Sequence, residues 1–156
     1  MSYEFKTDVE QVYALLTDPQ FLVDRCLGIG ELDAECEVEE GDGVVSIDLK
    51  RKVQRELPGL LAKMFDPEQN LHMREEWQPD GEGGYSGKYL IEIQGQPANI
   101  AATFELYPTE DGCCYTITHK AKAKIPLVGS KVEKYIQGQT QDGCAAELDY
   151  LRDHLG

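Results

Sequence analysis

The hydrophobic pattern predicts an α+β fold of the order strand, two short helices, six strands, long helix. A curved seven-stranded antiparallel sheet (β-α-α-β6-α) wraps around the long C-terminal helix. Three observations carry this. Apolar and polar residues alternate with a period of two through six turn-separated segments between Leu32 and Ile125. Each segment is apolar on one side only, as antiparallel sheets with a wet face are and doubly covered parallel sheets are not. The run after Pro126 is the only element long enough to cover such a sheet, at about 1.5 Å per residue over roughly 27 residues.

The elements follow in order. Tyr3 and Phe5 alternate with Glu4 and Lys6, which marks the first strand. Thr7-Asp8 offers an N-cap, and Val9, Val12, Tyr13, Leu15 and Leu16 follow at helical spacing. Pro19 opens a second short helix with Phe21, Leu22, Cys26 and Leu27 as its apolar stripe, ended by Gly28 and Gly30. Leu32, Ala34, Cys36 and Val38 then alternate with Asp33, Glu35, Glu37 and Glu39 without exception. Glu40-Gly41-Asp42-Gly43 turns the chain, and Val45, Ile47 and Leu49 return in a register that puts Arg51 and Val53 on the apolar side. Leu57 to Phe65 is a short amphipathic piece that begins through Pro58-Gly59 and closes at Asp66-Pro67.

Leu71, Met73, Glu75 and Trp77 share the inward face of the next strand. Tyr85, Gly87, Tyr89, Ile91 and Ile93 line the one after, then Ile100, Ala102, Phe104 and Leu106. The last strand turns Tyr115, Ile117, His119, Ala121, Ala123 and Ile125 inward and Lys120, Lys122 and Lys124 outward, and Pro126 stops it. The final helix starts near Ser130 with Val128, Val132, Tyr135, Ile136, Gln139, Gly143, Ala146 and Tyr150 on one stripe. No linker, repeat or low-complexity tract divides residues 1–156, which read as a single domain.

Composition excludes several partners. Twenty-nine acidic against fifteen basic side chains give a net charge of −14. Such a chain is repelled by phosphate backbones and anionic lipid headgroups, so nucleic-acid and membrane-surface roles are not expected. The excess is N-terminal: residues 1–50 hold 13 acids and 3 bases. The start of the chain has no basic stretch leading into an apolar run, and no apolar run approaches the roughly 18 residues that span a bilayer. The protein is expected to be cytoplasmic. Its cysteines, Cys26, Cys36, Cys113, Cys114 and Cys144, have neither CxxC nor zinc-finger spacing and read as free thiols. No metal or cofactor is expected.

With this element order, Ile125-Pro126-Leu127-Val128-Gly129 leading into the final helix resembles the START-like or SRPBCC superfamily, whose helix-grip fold includes the birch-pollen-type allergens. Leu57-Pro58-Gly59-Leu60 and Ile125 to Glu133 are similar to a bacterial subfamily labelled a domain of unknown function. The resemblance covers essentially the whole chain. It implies a ligand cavity between sheet and helix, within a superfamily that spans lipid carriers, polyketide cyclases, hormone receptors and chaperone cofactors.

The inward list supplies the lining: Trp77, Tyr85, Tyr89, Phe104, Tyr115 and Tyr135, aromatic bodies with polar tips suited to an apolar, lipid-like or polycyclic ligand. Filling of the core is the competing reading. Gly138 and Gly143 interrupt the long helix, each costing on the order of 1 kcal/mol relative to Ala. On the stripe that faces the sheet, Gln139 and Gly143 leave the helix thin, which makes either a cavity or a kink that rotates the stripe towards Cys144, Leu148, Leu151 and Leu155. Four polar residues share the inward register: Arg51, Glu75, His119 and Gln139. Arg51 and Glu75 form either a mutual ion pair or the polar end of a pocket. The leading expectation is a ligand carrier or sensor. An enzyme of the polyketide cyclase or dehydratase kind would use His119, Glu75 and Arg51. A protein-binding module would act through the acidic row Asp33, Glu35, Glu37 and Glu39, which on an edge strand also serves to block pairing.

Overall fold

A computed structural model describes residues 1–156. Two aspartates start the short helices. The Asp8 carboxylate accepts from the Glu10 amide at 2.6 Å and opens α1 (Val9–Leu16). Asp18 accepts from Gln20 and Phe21 and, with Pro19 in the first turn, opens α2 (Pro19–Gly28). Before them runs β1 (Ser2–Phe5), and after them β2 (Asp33–Gly41) and β3 (Val44–Gln54). The two-residue loop Asp42-Gly43 joins this hairpin with positive φ at both positions, the geometry whose twist suits a tight hairpin. A single helical turn, α3 (Leu61–Met64), precedes β4 (Glu68–Pro79), β5 (Tyr85–Ile93), β6 (Ala98–Pro108), β7 (Cys113–Ala123) and α4 (Gly129–Leu155).

The sheet order is β1-β7-β6-β5-β4-β3-β2, antiparallel throughout. One face packs on the helices. Its cross-strand rows are largely apolar, as in Leu49, Met73, Ile91, Ile100 and Ala121. Trp77, Leu22, Leu49, Leu106 and Leu151 are the largest fully buried side chains. β2 is an edge, and Asp33, Glu35, Glu37 and Glu39 are all exposed on its outer face.

α4 is continuous through Gly138 and Gly143. Its buried side runs from Val132 and Ile136 to Cys144, Leu148 and Leu151, so the stripe shifts as the 4-3-4 spacing of the last group requires. Gln137 fixes the helix to the sheet. Its amide donates to the His119 carbonyl and accepts from the Ala121 amide, both at 3.0 Å. β1 pairs only with residues 113–116 of β7, and Gln137 covers backbone that would otherwise be an open edge. At the other end Gly28 lets α2 approach α4, since a Cβ there would lie 2.4 Å from the Tyr150 ring.

Three expectations change. The stripe of α2 buries Arg25 rather than Leu27, which is 47% exposed, because Arg25 answers a carboxylate on α4. Leu32 precedes β2 and stays exposed at the sheet margin. β7 ends at Ala123 rather than Ile125, where the Lys124 amide turns to the Pro97 carbonyl.

Candidate functional site

Between the sheet and α4 lies a cavity of about 340 Å³. Leu71, Met73, Ile91 and Ile117 form its floor, and Val132, Ile136 and Leu148 its helical wall. That wall is thin where expected. Gln139 and Gly143 both line the cavity, and a Cβ added to Gly143 would meet nothing within 4 Å. Tyr135 crosses one end of the space, its hydroxyl donating to the Glu56 carbonyl at 2.8 Å and tying α4 to the segment before α3.

Four charged side chains form a buried network at the α2 side. Arg51 donates through Nε to Glu31 at 2.8 Å and through Nη2 to the other carboxylate oxygen. Its Nη1 lies 3.1 Å from Glu147, and Arg25 Nη2 lies 3.3 Å from the same oxygen. Burial alone would raise the Glu147 carboxyl, but the Arg25 and Arg51 guanidiniums outweigh it and hold Glu147 below the ordinary carboxylate range. Burial also works against the Arg51 charge, which Glu147, Cys26 and Glu31 more than restore. The network joins α2, the α2–β2 connection, β3 and α4.

Glu75 stands apart from it. An ion pair between Arg51 and Glu75 is not formed, because the register sets Glu75 opposite Ile47, two inward positions from Arg51, which faces Leu71 instead. The hydrogen-bond partner of Glu75 is the Trp77 indole, whose Nε1–H donates at 2.9 Å. Burial pushes the Glu75 carboxyl up to about 7, against the opposing pull of that hydrogen bond and of Arg25. Tyr89 sits directly across from Glu75 on β5, and Tyr115 completes an aromatic surround. Burial raises both phenols above their usual range.

Of the residues the sequence proposed, Arg51, Glu75, Trp77, Tyr89, Tyr115, Tyr135, Gln139 and Gly143 line this one cavity. Tyr85, Phe104 and His119 do not. Tyr85 stacks on Tyr13 with centroids 3.5 Å apart and donates to Glu10 near the protein surface. Phe104 lies behind Trp77, centroids 4.5 Å apart, and is 3% exposed. His119 shares a cross-strand row with Glu75, but Tyr89 and Ala102 stand between them, three strand spacings or about 14 Å measured along the sheet, and its ring lies against Tyr89, centroids 6.0 Å apart, outside the cavity. Its Nε2 is buried without a partner, and burial lowers its pKa. His119, Glu75 and Arg51 therefore do not converge as an acid–base group.

Sequence reasoning missed Arg25, Glu31 and Glu147. Spacing carried a signal for two of them: Arg25 follows Phe21 and Leu22 at helical intervals, and Glu147 lies four residues from both Gly143 and Leu151. Glu31 sits in a connection, where no period applies. All five cysteines are free. No three His, Cys, Asp or Glu side chains are grouped to hold a metal ion, and no helix is long and apolar enough to cross a membrane.

Residues 1–155 match the family described as Protein of unknown function (DUF2505). The uncharacterized proteins Rv0481c of Mycobacterium tuberculosis and Mb0491c of Mycobacterium bovis are each 24% identical over 150 residues, 89% of this chain and 85% of theirs. Among solved structures, protein CV1439 from Chromobacterium violaceum aligns with a TM-score of 0.51 and 16% identity over 97% of this chain and 94% of its own. A conserved protein from Geobacillus kaustophilus aligns with a TM-score of 0.51 and 21% identity over 97% and 93%. Both share the fold.

Proposed function

The chain belongs to the protein family of unknown function DUF2505, and from that premise we propose that it binds or carries a small hydrophobic molecule between its sheet and C-terminal helix. We read the architecture as a START-like, helix-grip one. The observation that carries the proposal is the cavity itself: about 340 Å³ with mostly apolar walls and a charged side towards α2, under a helix that gives up its own packing at Gly143. Helix interiors disfavour glycine, and cores are close-packed, so both departures at one place argue for a space kept for an occupant.

The volume bounds the ligand. At a water's share of about 30 Å³, the cavity offers roughly eleven water-sized places. A compact ring system or short chain fits this space, and a two-chain lipid does not. Trp77 is the chain's single tryptophan and lines the cavity, so its fluorescence reports occupancy. Native mass spectrometry of protein taken from its own cells tests the proposal, together with Trp77 titrations against neutral aromatic and aliphatic probes. A retained small molecule or saturable quenching supports it. No retained mass and no response to any probe would sink it.

A further inference from the structure

The charged groups around the cavity are unevenly matched. Glu31 and Glu147 each meet a guanidinium, whereas Glu75 meets only the neutral N–H of Trp77. Glu75 is enclosed by protein yet keeps accessible surface, and it is a cavity-lining residue, so that surface faces the empty volume. A carboxylate enclosed in this way without a cation is costly. Trp77 donates to it, Tyr89 stands directly opposite, and both rings line the cavity together with that of Tyr115. A carboxylate beside several aromatic rings is the combination that holds an organic cation, through charge on one side and ring quadrupoles on the others. The net charge of −14 adds an attractive field for such a ligand.

We propose that the ligand of this cavity carries a positive charge, as a protonated or quaternary amine seated against Glu75 and bordered by Trp77, Tyr89 and Tyr115. This rests on the cavity-binding reading and narrows it. The ligand replaces the missing cation, and its apolar part lies along Leu71, Ile91 and Ile136.

The linkage to pH has a defined sign. The charged and titratable groups coupled to Glu75 are Arg25 on α2, Arg51 on β3, Cys36 on β2, Tyr89 on β5, Tyr115 on β7, and Glu147 and Cys144 on α4; Glu31, Arg55, Tyr135 and Asp142 also line the cavity, and His119 on β7 lies outside it with its ring 6.0 Å from that of Tyr89. Arg51 stays protonated, Glu147 is held below the ordinary carboxylate range, and burial raises the two tyrosines and the two thiols. Of this coupled set, Glu75 is thus the one that changes charge near neutrality, from neutral in acid to carboxylate above about 7, while burial lowers the pKa of His119 outside the cavity.

The test uses an isosteric pair, phenyltrimethylammonium and tert-butylbenzene, each of about ten non-hydrogen atoms and within the space of roughly eleven waters. Trp77 quenching is followed at pH 6 and pH 8. The expected result is at least tenfold tighter binding of the cation at pH 8, a preference that shrinks at pH 6 and disappears in Glu75→Gln, with the neutral probe unchanged throughout. Because neither probe titrates, the pH dependence in the unsubstituted protein tests the idea even if Glu75→Gln does not fold. A neutral probe that binds as tightly as the cation at pH 8 overturns this inference and leaves the cavity reading intact. Binding of neither probe overturns this inference, and together with no retained mass in the native spectra it overturns the cavity reading as well.

Discussion

Gly143→Leu separates an unfilled site from a packed one by the sign of its effect. Gly143 has helical backbone, and a Cβ there enters open space, so the substitution is unstrained. Replacing glycine inside a helix recovers about 0.8–1.0 kcal/mol of propensity. The four side-chain carbons occupy roughly 120 Å³ at a water's share of about 30 Å³ each, about a third of the cavity. Burying a leucine contributes about 1.5–3 kcal/mol, reduced by its lost rotamer freedom of about 0.5–1 kcal/mol. The expected gain is about 2 kcal/mol or more, which for a chain of this size raises Tm by roughly 4–8 °C. Urea and thermal unfolding followed by circular dichroism measure it. Gly138→Leu is the control: its Cβ is also unobstructed, but Gly138 does not line the cavity. Both variants should gain helix propensity, and only Gly143→Leu should weaken probe binding by tenfold or more. If Gly143→Leu destabilises the protein by the roughly 1–3 kcal/mol of an overpacked core, the space is not there and the reasoning is wrong.

Other consequences are measurable on the same protein. Glu147→Ala leaves Arg25 and Arg51 without their shared partner and should cost about 3–5 kcal/mol in urea unfolding; a loss under 1 kcal/mol would show that the network is wetter than its burial implies. Glu75 has a folded pKa raised from 4.5 to about 7, so its contribution to stability is fully present below about 4.5 and lost as pH rises through about 7. The stability difference between the unsubstituted protein and Glu75→Gln, compared at pH 4.5 and pH 8, should change by on the order of 3 kcal/mol against the carboxylate at pH 8. A flat difference would show that Glu75 titrates normally. Replacing Glu35, Glu37 and Glu39 on the β2 edge with threonine should promote association visible by size-exclusion chromatography. A strictly monomeric triple variant would remove the edge-guarding role of those charges.

The elements were legible because their causes are local. Alternation from Asp33 to Glu39 makes a strand with one wet face whatever its neighbours are, and Asp42-Gly43 specifies its hairpin. The thin place at Gln139 and Gly143 could be read too, since helix periodicity puts both on the face that must meet the sheet. Pairings were harder. Inward register alone made Arg51 and Glu75 candidates for each other, but register along a strand does not say which charge lies within a few ångströms across three elements. Arg51 found Glu31 in a connection and Glu147 on a helix almost a hundred residues later.

His119 shows the same limit in another form. Alternation correctly put it on the inner face, in line with Tyr89 and Glu75. Distance across the sheet accumulates by one strand spacing at each step, and three steps, about 14 Å along the sheet, separate it from Glu75 and leave it outside the cavity. Sequence by itself determined which residues turn inward, because faces follow from the period of the chain. Tertiary structure decided which of those residues meet, because charges and cavities depend on separations between elements that no period encodes. The identity of Glu75 as the enclosed cavity carboxylate without a cation belongs to that second kind of fact; Asp142, also unpaired, is solvent-exposed.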